Sequence, residues 1–331
     1  MKITHSISFI VSIACITPTN CYHKIMKKKL IVSYARRLRP RSSIRLSNPP
    51  ITVWIHGTRF IRRPMYDSFF EGTPRLKLAK HAPSEYYMRT IARTLSKTDP
   101  ARFPFETFYI FGWSGKLRAA AREDAANHLY RNLSNLATAY EKRYQKSPVI
   151  RIITHSHGGT VALNLAKVQS SPSFRIKDLI LLACPVQKNT RNYIADPLFE
   201  KVYALCSSLD MVQLLAPQII SNVYRTKKGH LRSKMEWPPF SYRCFPGNPK
   251  LIQIKIKMNG RAIFHHEFNG KPFIRVLPRI LTTINSWKNE QWCNENGAYL
   301  LCVYTPTPKR LLRKQLAHRL HNGSSINTCI S

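Results

Sequence analysis

The residues best suited to chemistry lie in "IRIITHSHGGTVALNLAK", residues 150–167. Ser156 stands between His155 and His157, with Gly158 and Gly159 directly behind. A β-branched run ends at Thr154 and a helix-forming run begins at Gly158, so Ser156 falls on a strand-to-helix turn. Such a turn pushes a serine Oγ out of the sheet, and the helix N-terminus behind it favours developing negative charge. The turn crowds the backbone and calls for small residues two places to either side. Gly158 and Gly159 meet this downstream. Thr154 stands where the common G-x-S-x-G pattern has glycine, so its methyl group needs room from the neighbouring helix. A bland reading makes Ser156 a polar helix cap, a role serine favours. A metal site built on His155 and His157 is disfavoured, because ligands at i and i+2 across a sharp turn point apart. No H-E-x-x-H motif, Cys pair or Gly-x-x-x-x-Gly-Lys loop supports a metal or phosphate site. No metal and no cofactor is expected.

A serine presented in this way needs a sheet to carry it. "ITVWIHGT" (51–58), "FETFYIFGW" (105–113), "VIRIIT" (149–154), "DLILLACP" (178–185) and "KVYALCSS" (201–208) are short apolar runs. Their near-continuous hydrophobicity suits parallel strands buried on both faces. "LIQIKIKM" (251–258) alternates, as an edge strand does. Between them, Leu129, Leu133, Leu136, Tyr140 and Tyr144 recur at helical spacing, and "SEYYMRTIARTL" and "KPFIRVLPRILTTINSW" predict further helices, the last with a proline inside. Strands alternating with helices predict an α/β fold with a doubly wound, mostly parallel sheet and a site at the carboxyl ends of its strands. The predicted organisation is a basic leader over 1–48, the α/β domain over 49–288, and a basic tail over 289–331. Within the domain, 59–104 is a helical insertion that could close as a lid, and 216–250 is a second insertion.

A second strand end adds to the serine: His56-Gly57-Thr58 closes the first apolar run. With the T-H-S-H-G turn, this resembles the α/β-hydrolase superfamily in its serine lipase and esterase branch, over about residues 50–285. The resemblance implies an oxyanion hole from the backbone N–H groups of Thr58 and His157, with His56 and Gly57 structural. It also implies the chain order Ser, acid, His. Asp210, directly after "KVYALCSS", matches the acid; Asp196, in the preceding loop, is the alternative. Asp178 and Glu200 precede their strands and fall at the wrong end of the sheet, and Glu236 lies in the second insertion. The base matches His265 in "RAIFHHEFNG", before the closing helix, with His266 the alternative. The implied activity is cleavage of an ester, of a lipid or fatty acid, through an acyl-enzyme on Ser156. A thioesterase or an acyltransferase would use the same residues. Trp113-Ser114-Gly115 is expected to line the pocket.

Charge points to the partner. The chain has 331 residues, with 53 Lys+Arg against 16 Asp+Glu, a formal net charge of +37. Such a field favours anionic partners. No helix-turn-helix, zinc-finger or RNA-binding signature accompanies it, so an anionic membrane surface is the expected partner and nucleic acid the disfavoured one. A non-catalytic hydrolase-fold protein that binds such a surface is the rival class. "SISFIVSIACI" (6–16) is an apolar run shorter than a span of about 20 residues. Lys24, Lys27, Lys28 and Lys29 follow it, which favours the cytoplasmic face of a membrane, with export the alternative. The eight cysteines form no C-x-x-C pair, and Cys184 and Cys206 read as reduced core residues.

Overall fold

Alternation along the strands decides which helices cover which face of the sheet. The computed structural model describes residues 27–31, 48–58, 74–168, 173–210, 223–225, 231–233, 241–242, 244–286 and 299–304. In chain order its elements are β1 (Lys27–Ile31), β2 (Ile51–Ile55), β3 (Arg75–Leu78), α1 (Tyr87–Thr98), β4 (Phe108–Gly112), α2 (Ala119–Tyr144), β5 (Ile150–His155), α3 (Gly158–Leu163), β6 (Ile176–Leu182), β7 (Phe199–Cys206), β8 (Val223–Arg225), β9 (Leu231–Ser233), β10 (Leu251–Met258), β11 (Arg261–Ala262), α4 (Lys271–Ser286) and β12 (Tyr299–Tyr304). The main sheet runs β1-β12-β10-β7-β6-β5-β2-β4-β3. It is parallel except where β3 joins β4 at one edge and β11 joins β10.

Successive strand residues point to opposite faces. Ile153, Ile180 and Tyr203 therefore pack with Ile91 and Leu95 of α1 and Phe273, Ile274 and Ile280 of α4. Ile152, Leu179, Leu181 and Val202 pack on the other face with Leu129 and Leu133 of α2 and Val161 of α3. Helices on both faces of a mostly parallel sheet make the fold the doubly wound α/β class, as predicted. The apolar stripe of α2 is buried at Leu129, Leu133 and Tyr140, with Leu136 and Tyr144 packed against the same core. The helix ends at Gln145 in a left-handed cap, with Lys142 and Arg143 in its last turn facing the negative end of the dipole.

Four sequence expectations change. Strand β10 is not an edge: β7 and β12 flank it, both parallel. Its alternation misled because Lys255 and Lys257 are only half-buried, aliphatic stems that let the isoleucines carry the burial. The covering strand β12 comes from the segment read as tail, and β1, from the segment read as leader, pairs with it. Tyr86, within the 59–104 insertion, is fully buried in the core, so this part of the insertion packs on the sheet rather than standing over a pocket. Residues 59–73 of that insertion, Glu236, and residues 305–331 of the predicted tail lie outside the described residues. Cys206 is half-buried rather than buried; Cys184 is buried, and neither is in a disulfide. Among the described residues no helix is long and apolar enough to cross a membrane.

The centre of β6 should be the least forgiving place in the sheet. Ile180 is fully buried there, and Ile180→Ala is expected to cost about 2–5 kcal/mol, read from the shift in denaturant midpoint at constant slope.

Candidate active site

The turn after β5 is built by close approach. Ser156 has φ of 54°, in the left-handed region. A residue with a Cβ pays about 1–3 kcal/mol for a sparsely populated backbone conformation of this kind. Its N–H donates to Leu182 O at the end of β6 (2.9 Å), and its carbonyl accepts from Gly159 N–H (2.9 Å). Three glycines leave the space that this needs. A Cβ at Gly57 would stand 2.6 Å from Ser156 Cβ, and one at Gly158 would stand 2.6 Å from the carbonyl oxygens of Ile55 and His56. At Gly159 it would meet Cys184 Sγ at 2.3 Å. Thr154 finds its room: it is fully buried, and its hydroxyl donates to Ile180 O at 3.3 Å. The helix behind is shorter than "GGTVALNLAKV" suggested, with six α-helical residues that tighten into a 3-10 turn over Asn164–Lys167.

The carboxyl end of β7 delivers the acid. Asp210 follows a turn in which its N–H donates to Ser207 O (3.2 Å), and it is fully buried. His265 Nδ1 lies 2.8 Å from Asp210 Oδ1, so the imidazole donates and the carboxylate accepts. Two contacts fix the histidine's loop. Ile263 N–H donates to Ser207 Oγ (3.0 Å), tying the loop to the end of β7. Glu267 accepts from Phe264 N–H (2.7 Å) and from both Nη atoms of Arg261, closing the turn around His265. Beside the nucleophile turn, His155 Nε2 donates to His265 O (3.0 Å), and the two rings pack with centroids 4.7 Å apart. Ser156, Asp210 and His265 are thus gathered at one end of the sheet. His266 is exposed and stacks on Phe264. Asp196 sits before β7, where Oδ1 caps Leu198 N–H (2.9 Å). The eight residues of β7 separate it from the Asp210 end by roughly 25 Å. Asp178 pairs with Arg151 (2.6 Å) near the start of β6.

The strand end at His56 is braced rather than open. Trp113 N–H donates to His56 Nε2 (3.4 Å), which leaves Nδ1 to donate to Gly57 O (2.7 Å). The Trp113 indole N–H donates to His56 O (2.8 Å), and the two rings stack. Trp113, expected to line a pocket, is 3% exposed and holds this corner. His157 is 4% exposed. Burial, then the Arg122 charge, then His265 push its pKa down to about 3. Burial, then the neighbouring His265, push His155 down to about 4. Both rings are neutral near pH 7.

Sequence reasoning missed three residues here: His155 as a support for His265, Ser207 as the tie between strand end and loop, and buried Arg122. Ser207 alone left a trace, as one of the small polar residues between "VYALC" and Asp210.

No family model matches the chain, and no curated protein matches it. Among solved structures it is similar to a hyperthermophilic esterase from the archaeon Pyrobaculum calidifontis, at 12% identity over 75% of this chain and 78% of that one, with a TM-score of 0.36. It is similar to a hormone-sensitive lipase from a metagenome library at 12% identity (82% and 78%, TM-score 0.30). Lipase B of Aspergillus fumigatus gives 9% identity over 70% of this chain and 51% of that one, with a TM-score of 0.32. At such identities the chemistry has to be argued from the site's own residues.

The buried neutral histidines set a pH dependence of stability. His155 titrates at about 4 in the fold, against about 6.5 when unfolded. Between these values the unfolded chain binds more protons, so stability rises with pH and falls as pH drops through the window. This one group accounts for about 3 kcal/mol between pH 7 and 4. Denaturant midpoints should fall over that range, and His155→Asn, which keeps a donor for His265 O, should flatten the slope by about one proton. An unchanged slope in that variant would show that His155 is not buried neutral.

Proposed function

We propose that this protein is a serine ester hydrolase. The observation that carries the reading is the 2.8 Å bond from buried Asp210 to His265, at the same end of the sheet as a serine held in the left-handed conformation. Ser156 Oγ attacks the ester carbonyl while His265 Nε2 takes its proton. The carbonyl π pair moves to oxygen, and the N–H groups of Thr58 and His157 receive that charge. Collapse expels the alcohol, which takes the proton back from His265. Water then repeats the sequence and releases the acid. Asp210 keeps Nδ1 protonated, so Nε2 is the free base, and it stabilises the imidazolium.

The substrate in this reading is a lipid or fatty-acyl ester met at a membrane surface. Two large apolar side chains stand out as exposed among the described residues, Leu209 (42%) and Phe264 (50%). They immediately precede Asp210 and His265, so an apolar lip adjoins the site. The net charge of +37 would draw it to anionic lipid, each basic residue near the surface adding about 1 kcal/mol. A thioester substrate or an acyl acceptor other than water would use the same residues, and the released products tell them apart.

A fluorophosphonate probe should label the wild type at Ser156, and Ser156→Ala should abolish labelling while leaving the fold intact. Asp210→Asn should lower kcat by roughly 10⁴-fold. Labelling that maps to another serine would discard the nucleophile, and loss of activity in His266→Ala with retention in His265→Ala would move the base by one residue. At the surface, the full chain should bind anionic vesicles and release them at high salt, because charges farther apart than about 10 Å are screened near 0.1 M. Turnover of a soluble ester should barely change with salt. Equal binding to neutral and anionic vesicles would remove the electrostatic part of the proposal.

A further inference from the structure

The hydrolase reading leaves one buried cation without a task. Arg122, in the first turn of α2, is 1% exposed. Its Nη1 donates to Leu117 O (2.5 Å) and its Nη2 to Gln187 Oε1 (3.0 Å), and both acceptors are neutral. Among the described residues its Nε has no hydrogen-bond partner. Buried charges are ordinarily paired, because an isolated one loses its hydration without recompense. Burial lowers this guanidinium to about 10, with Cys184 and the Glu123 carboxylate, itself bonded to Lys167 at the surface, acting the other way, so it remains a cation at neutral pH.

Its neighbours place it behind the nucleophile turn. Leu117 belongs to the loop that leaves β4 after Trp113, and Gln187 to the loop that leaves β6. The β6 strand holds Ser156 N–H through Leu182 O, and Cys184 of the same loop fills the space against Gly159. Helix α2 packs directly on α3. The Arg122 charge acts on His157, the residue after Ser156, and on Cys184. A positive charge in this low-dielectric position costs least when negative charge appears in front of it. The hydrolase reading has such a moment, when the carbonyl oxygen becomes an oxyanion.

We propose that Arg122 is a positioning residue. It ties the loops after β4 and β6 around the Ser156 turn and keeps a positive potential behind it that favours the oxyanion state. The proposal rests on the serine hydrolase reading. Arg122 is too deeply buried to touch substrate and acts through the turn.

Gln187→Glu tests the charge without removing the arginine. The side chains are nearly isosteric, and beside the guanidinium the new carboxylate ionises and pairs with it. The brace survives and the potential is cancelled. The thermal midpoint should hold or rise. Removing a direct oxyanion donor costs about 10²–10³-fold; cancelling this more distant charge should lower kcat for a soluble p-nitrophenyl ester by roughly tenfold, with KM within about twofold. Affinity for phenylboronic acid, which forms an anionic tetrahedral adduct on serine, should fall in parallel. Arg122→Lys loses one arm of the fork and, buried, gives up its proton more readily, so it should lower both the thermal midpoint and kcat. A Gln187→Glu protein with wild-type kcat and wild-type boronate affinity overturns the proposal, as does one whose thermal midpoint falls along with its activity. A wild type that neither labels with the fluorophosphonate probe nor binds phenylboronate overturns the hydrolase reading, and this role with it. A wild type that does both, with an unaffected Gln187→Glu, overturns this role alone.

Discussion

Everything at the site depends on a serine held in a backbone conformation that side chains avoid. The 54° φ of Ser156 is uphill by about 1–3 kcal/mol, and locally only the turn bond from Gly159 N–H to its carbonyl acts against that cost. The repayment is tertiary: the N–H of Ser156 bonds to Leu182 O of the next strand, and the backbones of the β2 end and the α3 start approach within the space of a missing Cβ. The three glycines 57, 158 and 159 therefore serve one contact. They let the β2 end, the serine turn and the β6 loop close on each other.

Around that contact the ionisable groups are sorted by burial. His155 and His157 are driven neutral by desolvation, and His155 uses its remaining N–H to fix the backbone of His265. Asp210 is buried against His265, and Arg122 is buried against neutral dipoles. The carboxyl end of the sheet thus holds a fully buried acid, a fully buried cation and two uncharged rings. The surface pairs are of another kind. Lys80–Glu106 and Lys167–Glu123 join exposed or half-exposed groups, and pairs of that sort contribute about 0–1 kcal/mol each. At the amino ends of the strands Arg151 pairs with Asp178, and both line, with Arg102, a cavity of about 390 Å³ on the far side from Ser156.

The excess of basic residues and the buried site therefore operate on separate scales. Screening by salt weakens the first and hardly reaches the second. Leu209 and Phe264 are exposed beside the site, the first before fully buried Asp210 and the second before half-buried His265.

The sequence by itself determined the alternation of strands and helices and the serine turn. These are written locally. Period-two and helical patterns reflect side-chain direction within one element, and the small residues beside Ser156 reflect crowding within a few bonds. Only the tertiary structure decided what depends on partners far away in the chain. His265 rather than His266 faces Asp210 because Ser207, 56 residues earlier, holds Ile263, and Glu267 closes the turn. Strand β10 lost its edge to β12, whose residues looked like part of a tail. No sequence pattern marked Arg122, and its burial follows from the packing of α2 on α3 and from two acceptors contributed by separate loops. A hydrophobic pattern encodes which face of an element turns inward; which polar groups meet there is set by the register of the elements that close over it.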